Sequence, residues 1–207
     1  MKHLLTIADL TPQEVTRILD LAVQLKEEWK EGGNRPILAH KTLGMIFQKP
    51  SLRTRVSFEM AMRHLGGDAL YLSPNEIQLG QRESVADVAR VLSRYVDGIM
   101  ARVFSHAHVE ELARHSRVPV INGLSDFSHP CQALGDMLTI LEQKGRLKGL
   151  RLAWVGDGNN VAVSLMFASA KLGLHMTVAC PKGHEPPARA VETARAAAVE
   201  GATLRIT

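Results

Sequence analysis

Aromatic residues and cysteine are both scarce in this sequence: Phe, Trp and Tyr make up 4% of its 207 residues, and there are two cysteines, Cys131 and Cys180. The cysteines lie far apart and form no C-x-x-C pattern, so a reduced, cytoplasmic protein is the simplest expectation. No apolar run approaches the length of a membrane span. The stretch from Met1 to Asp9 has too short an apolar core for a signal peptide and soon meets an acid. No basic run occurs either, and no aromatics interleave with the arginines and lysines. The net charge of +4 therefore predicts a solvated surface, with a few arginines serving a small anionic ligand, and no nucleic-acid partner.

What is present is a soluble globular composition, 45% hydrophobic and 22% charged, with length enough for one large domain or two small ones. Thr11-Pro12-Gln13-Glu14 is a capping box with proline at the first helical position, and Leu10 and Val15 are placed as a hydrophobic staple. Val15, Ile18, Leu19, Ala22 and Leu25 continue at helical spacing to about Lys30, before Gly32-Gly33-Asn34.

Leu43 to Phe47 is short and apolar and reads as a buried strand. Val56 to Leu65 has helical character and stops at Gly66-Gly67. Between them, Ser51-Leu52-Arg53-Thr54-Arg55 sits where the helix begins. Free N–H groups, the positive end of the helix dipole and forked guanidinium donors converge there. An anion site and an ordinary serine cap with solvated arginines are both open on these residues.

Asp68–Leu72 is a second strand, and the polar run from Ser73 to Glu83 reads as an extended loop of functional length. Ser84-x-x-Asp87 starts another helix. Ile99–Phe104 is a third strand, in which Arg102 requires either a salt-bridge partner or an anionic ligand. His106, His108 and His115 lack further ligands at a spacing that completes a metal site. Val118–Gly123 is a fourth strand. His129-Pro130-Cys131-Gln132 then places polar side chains at another helix N-terminus after a strand. Such alternation predicts a parallel α/β sheet with ligands at the carboxyl ends of the strands.

Gly145-Arg146-Leu147-Lys148-Gly149 marks a boundary, giving domains 1–145 and 146–207. Strand Arg151–Val155, the turn Gly156-Asp157-Gly158-Asn159-Asn160, and a helix from Val161 to Leu172 follow. Val161 stands where a dinucleotide fingerprint needs a third small residue, so NAD is not predicted. Strand His175–Cys180, a helix from Pro187 to Glu200 and strand Ala202–Ile206 come last. The fold expected is α/β, with two doubly wound parallel-sheet domains, the second incomplete.

Taken in order and at this spacing, Ser51-Leu52-Arg53-Thr54-Arg55 and His129-Pro130-Cys131-Gln132 resemble the S-T-R-T-R and H-P-x-Q motifs of the aspartate/ornithine carbamoyltransferase family. The resemblance covers essentially the whole chain. Leu52 replaces the usual threonine, whose backbone N–H is the part expected to matter. Glu83 to Tyr95, the Gly-Leu-Ser-Asp ending at Asp126, Cys131 and Trp154 to Asn160 are similar to the ornithine branch.

The resemblance implies that Ser51, Leu52 (through its backbone), Arg53 and Thr54 hold the phosphate of carbamoyl phosphate, and that Arg102 bridges phosphate and carbamoyl oxygen. His129 and Gln132 would bind the carbamoyl group, and Gln78 would contribute from the neighbouring subunit of a homotrimer. Asn160 would hold the amino-acid end of L-ornithine. Arg102, Thr54 and His129 would stabilise the oxyanion as the δ-amine attacks, with citrulline and phosphate as products and no metal or organic cofactor. Putrescine, acetylornithine or aspartate as acceptor, or a non-catalytic anion-binding module, are the alternatives. Because the family chain continues past Thr207, the 207-residue chain alone is expected to be inactive.

Overall fold

Thr11 opens the first long helix, α1 (Pro12–Lys30). Its Oγ1 accepts the Glu14 N–H at 3.2 Å, and Glu14 Oε2 accepts the Thr11 N–H at 2.7 Å, so the reciprocal cap forms as expected. Leu10 and Val15 are both buried beside it. The computed structural model describes residues 2–207. They form two compact units: residues 2–5 with Gln24–Asp126, and Thr6–Val23 with Phe127–Thr207. Helix α1 thus contributes residues to each.

The first unit continues through β1 (Thr42–Phe47), α2 (Leu52–His64), β2 (Asp68–Leu72), α3 (Pro74–Ile77), α4 (Val85–Leu92), β3 (Gly98–Arg102), α5 (His106–His115) and β4 (Val120–Leu124). The four strands are parallel in the order β2-β1-β3-β4. The chain steps from β1 outward to β2 and then returns to the other side of β1. The carboxyl ends of β1 and β3 therefore flank the switch point, where open α/β sheets place ligands.

Both sheet faces are covered. Leu43, Met45, Phe47 and Met100 pack with Met62 of α2 on one side, and Ile46, Ile99, Ala101 and Val120 pack with residues of α4 and α5 on the other. Strand alternation fixes where Arg102 goes. Register pairs Met45 with Met100 and Phe47 with Arg102, so Arg102 shares the face that α2 covers. The β3–β4 register slips between Ala101 and Arg102. Gly123 lies at that irregularity, where a Cβ would come within 2.5 Å of the Met100 sulfur.

The run from Ser73 to Glu83 is not wholly the extended loop that its polarity suggests. Glu76 Oε2 accepts the Ser73 N–H at 2.9 Å, Pro74 occupies the first turn, and α3 forms before the chain reverses at Gln78 (φ 39°). Four residues are too few to display helical periodicity, so capping is the signal that marks this element.

In the second unit, α6 (Pro130–Lys144), β5 (Arg151–Val155), α7 (Asn160–Leu172), β6 (His175–Ala179), α8 (Ala188–Ala196) and β7 (Thr203–Ile206) follow. The parallel sheet runs β5-β6-β7. Every residue from Ala162 to Lys171 is buried, because α7 packs against α6, α8, β6 and the short 3-10 turn Ile7–Asp9. A helix apolar nearly all round belongs in such a position. Lys171 is the exception in type; its Nζ donates to the carbonyls of Ala8 and Leu10. The opposite sheet face, with Arg151, Ala153, Val155, Thr203 and Arg205, is exposed. Helix α8 ends before Glu200 because the Val199 N–H is taken by the Ala170 carbonyl of α7 at 3.0 Å.

Candidate functional site

At the switch point of the first unit, Ser51 is extended (φ −158°, ψ 115°) and caps α2. Its Oγ accepts the Thr54 N–H at 3.3 Å and donates to Thr54 Oγ1 at 3.1 Å. Leu52 is the first helical residue and 79% exposed, so what it can offer a ligand is its N–H, one of the first-turn donors with no intrahelical partner. Arg102 reaches across from β3, and its Nη1 donates to Thr54 Oγ1 at 3.3 Å. With two donors directed into it, the Thr54 oxygen has its own hydrogen left to give.

Arg102 Nε is buried without a partner. Burial, and then the nearby Arg53 charge, lower the pKa of Arg102. Among the described residues neither guanidinium has a carboxylate against it. Two like charges, an orphaned buried donor and a helix N-terminus meet in one place, the features that an anion would compensate.

Arg55, the second arginine of the motif, is placed elsewhere. Its Nε donates to Glu59 Oε1 at 2.8 Å, and its guanidinium carbon lies 4.2 Å from the Tyr71 ring centroid. The Glu59 hydrogen bond holds its pKa up.

Gln48, just past the end of β1 and without a sequence motif of its own, joins three segments beside this site. Its N–H donates to the Arg102 carbonyl at 2.9 Å. Its Oε1 accepts the Phe104 N–H at 3.0 Å, with the His108 ring nitrogen at 3.3 Å, and its Nε2 donates to the Leu79 carbonyl at 3.0 Å. A cavity of about 340 Å³ opens next to it, lined in part by Phe47, Asn75, Gln78 and Phe104. Gln78 is exposed there, and its amide donates to Asn75 of its own turn at 3.4 Å. Gln78 is thus in no hydrogen bond with Ser51, Thr54 or Arg102.

In the second unit, His129 occupies the N-cap position of α6 with φ −132° and ψ 68°, followed by buried Pro130. Its side chain makes no cap bond. Gln132 is exposed and donates to Asp136 Oδ1 at 2.9 Å, one turn along α6. Burial pushes the Cys131 thiol up to about 12. At the other helix start the two asparagines divide their tasks. Asn159 caps α7, its Oδ1 accepting the N–H groups of Val161 and Ala162 at 3.0 and 3.2 Å, while Asn160 is the first helical residue. Gly156 sits at φ 139°, and a Cβ on Gly158 would come within 2.3 Å of the Pro186 nitrogen. The glycines of this turn therefore answer to backbone geometry.

These features define a parallel α/β protein whose first sheet gathers Arg53, Arg102 and a helix N-terminus at its switch point. Two family models resolve the class further. The carbamoyl-P binding domain of aspartate/ornithine carbamoyltransferase matches residues 2–142, and its Asp/Orn binding domain matches residues 148–207. The chain belongs to the aspartate/ornithine carbamoyltransferase family. It is 56% identical over 207 residues to the ornithine carbamoyltransferase of Anoxybacillus flavithermus, covering 100% of this chain and 66% of that one. It is 57% identical over 199 residues to that of Pyrococcus abyssi, covering 96% and 63%. Among solved structures, ornithine carbamoyltransferase from Pyrococcus furiosus aligns with a TM-score of 0.97 at 55% identity, covering 99% of this chain and 66% of that one. That from Thermus thermophilus aligns at 0.88 and 48%, covering 99% and 68%. The chain spans about two thirds of the length of the curated relatives it matches.

Proposed function

We propose that the protein transfers the carbamoyl group of carbamoyl phosphate to the δ-amine of L-ornithine. The observation that carries this reading is the Thr54–Arg102 hydrogen bond at the N-terminus of α2, with the Arg53 charge alongside and no carboxylate to satisfy either guanidinium. Relatives named ornithine carbamoyltransferase, one of them termed anabolic, support the choice of ornithine and a place in arginine biosynthesis.

Ser51, Arg53, Thr54 and the Leu52 N–H hold the phosphate, and Arg102 bridges phosphate and carbamoyl oxygen. His129 donates to that oxygen, Gln132 binds the carbamoyl nitrogen end after leaving Asp136, and Asn160 holds the amino-acid end of ornithine. The neutral δ-nitrogen forms a bond to the carbamoyl carbon, negative charge develops on the carbonyl oxygen, and Arg102, Thr54 and His129 stabilise it. The carbon–oxygen bond to phosphate then breaks, the proton released from the attacking nitrogen passes to the departing phosphate, and Arg53 with the helix N-terminus takes up that phosphate's charge.

Residues 1–145 would serve as the carbamoyl-phosphate domain and 146–207 as part of the ornithine domain, a division that the limits of the two family models support. A homotrimer in the cytoplasm completes the reading, with Gln78 acting in the neighbouring subunit's site. Exposed Leu52, Val56 and Met60 form an apolar stripe one turn apart along α2 that a second copy would cover. No helix among the described residues is long and apolar enough to cross a membrane.

The test is a citrulline assay on the complete gene product. Turnover with ornithine is expected; none at saturating substrates would refute the proposal. Tighter binding of a phosphonoacetyl-aspartate analogue than of its ornithine counterpart would move the acceptor to aspartate.

A further inference from the structure

Ser164 lies one turn into α7 and is fully buried. Its hydroxyl donates its single hydrogen to the Asn160 carbonyl at 2.8 Å and accepts the His129 backbone N–H at 2.8 Å. Ser128 Oγ stands 3.2 Å away. With the Ser164 hydrogen already committed, Ser128 is the donor in that pair. One hydrogen given and two accepted exhaust a hydroxyl.

This oxygen therefore ties the N-cap of α6 to the first residue of α7. Nothing in the helix itself calls for serine. Alanine is the better helix former, and a hydroxyl buried between Val163 and Leu165 is costly unless it is bonded. The backbone at His129 lies between the extended and helical wells, and its side chain supplies no cap. The Ser164 oxygen is what fixes the direction of the His129 amide.

We propose that Ser164 is a positioning residue for carbamoyl transfer, setting the His129 imidazole against the Asn160 carboxamide so that the carbamoyl carbon and the attacking nitrogen meet in line. The proposal rests on the carbamoyl-transfer reading, since it is His129 and Asn160 that Ser164 joins.

The experiment compares Ser164→Ala, Ser164→Cys and Ser128→Ala in the complete gene product. Active sites are titrated with a phosphonoacetyl-ornithine analogue, so that lost folded protein does not count. In Ser164→Ala the kcat per titrated site is expected to fall on the order of tenfold to a hundredfold, as for a displaced catalytic group. The KM for ornithine should rise about tenfold, and carbamoyl-phosphate affinity should fall by less, about threefold at most, because only its carbamoyl end meets His129 and its phosphate is held by other residues. Ser164→Cys, close in size and a poor acceptor, should show the same split, and carries the test should the alanine variant not fold. Ser128→Ala, which leaves the His129–Ser164–Asn160 link intact, should stay within about twofold of wild type. Unchanged kcat and ornithine KM in both Ser164 variants would overturn the proposal, as would an equal loss of carbamoyl-phosphate affinity, the mark of a general structural role. Absence of citrulline from the wild type would instead remove the functional reading beneath it.

Discussion

The two arginines of the Ser51–Arg55 run carry the same charge and differ in what already compensates it. Arg55 has Glu59 and the Tyr71 ring; the charge of Arg53 acts against that of Arg102. Arg53→Ala is expected to weaken carbamoyl-phosphate binding by at least about tenfold, the value of one charge-assisted hydrogen bond. Arg55→Ala should leave it within roughly twofold. Calorimetry on both variants decides; equal losses would sink the distinction. Cys131 permits a second residue-level prediction. With its pKa raised from 9.0 to about 12, its thiolate fraction at pH 8 is on the order of one in ten thousand. Mass spectrometry after iodoacetamide treatment of folded protein at pH 8 should find it unlabelled. The folded state keeps this proton where the unfolded chain has lost it. Cys131 therefore lowers stability progressively as pH rises from 9 to about 12 and leaves it untouched below that window.

Among the elements, the start of α7 is the most exacting. Asn159→Ala removes the cap and should cost about 1 kcal/mol. Gly158→Ala forces a methyl against Pro186 and should cost roughly 1–3 kcal/mol, by the cost of overpacking. Urea melts read both, and a neutral Gly158→Ala would refute the close approach. Sequence made the caps and strands of these elements legible, since Thr11 with Glu14, Ser84 with Asp87 and the Asn159 turn all act locally. Their signals need no knowledge of the rest of the chain. The glycine pair at 156 and 158 was visible, while the reason for Gly158, a close approach to a segment almost thirty residues onward, was not. Ser164 left no trace for the same cause: a serine inside an apolar helix acquires meaning from His129 and Ser128, which reach it through tertiary packing. Gln48 is a further case, a polar residue at a strand end whose three side-chain partners, Phe104, His108 and Leu79, lie far along the chain from it.

For the molecule as a whole, the strand order β2-β1-β3-β4 could not be read from alternation alone, although a site at the carboxyl ends of β1 and β3 follows once Arg102 is paired with Phe47. The complete gene product is expected to sediment as a trimer or a multiple of one, measured by ultracentrifugation; a monomer would remove the role given to Gln78.

Lys171 binds the carbonyls of Ala8 and Leu10, residues made 163 and 161 positions earlier. At ribosomal rates of 5–20 residues per second, the amino-terminal turn waits roughly ten to thirty seconds for its partner to be synthesised. Throughout that interval Ile7, fully buried in the finished protein, lies in a turn that has no α7 to pack against. The nascent chain thus carries this apolar turn uncovered until α7 has been made.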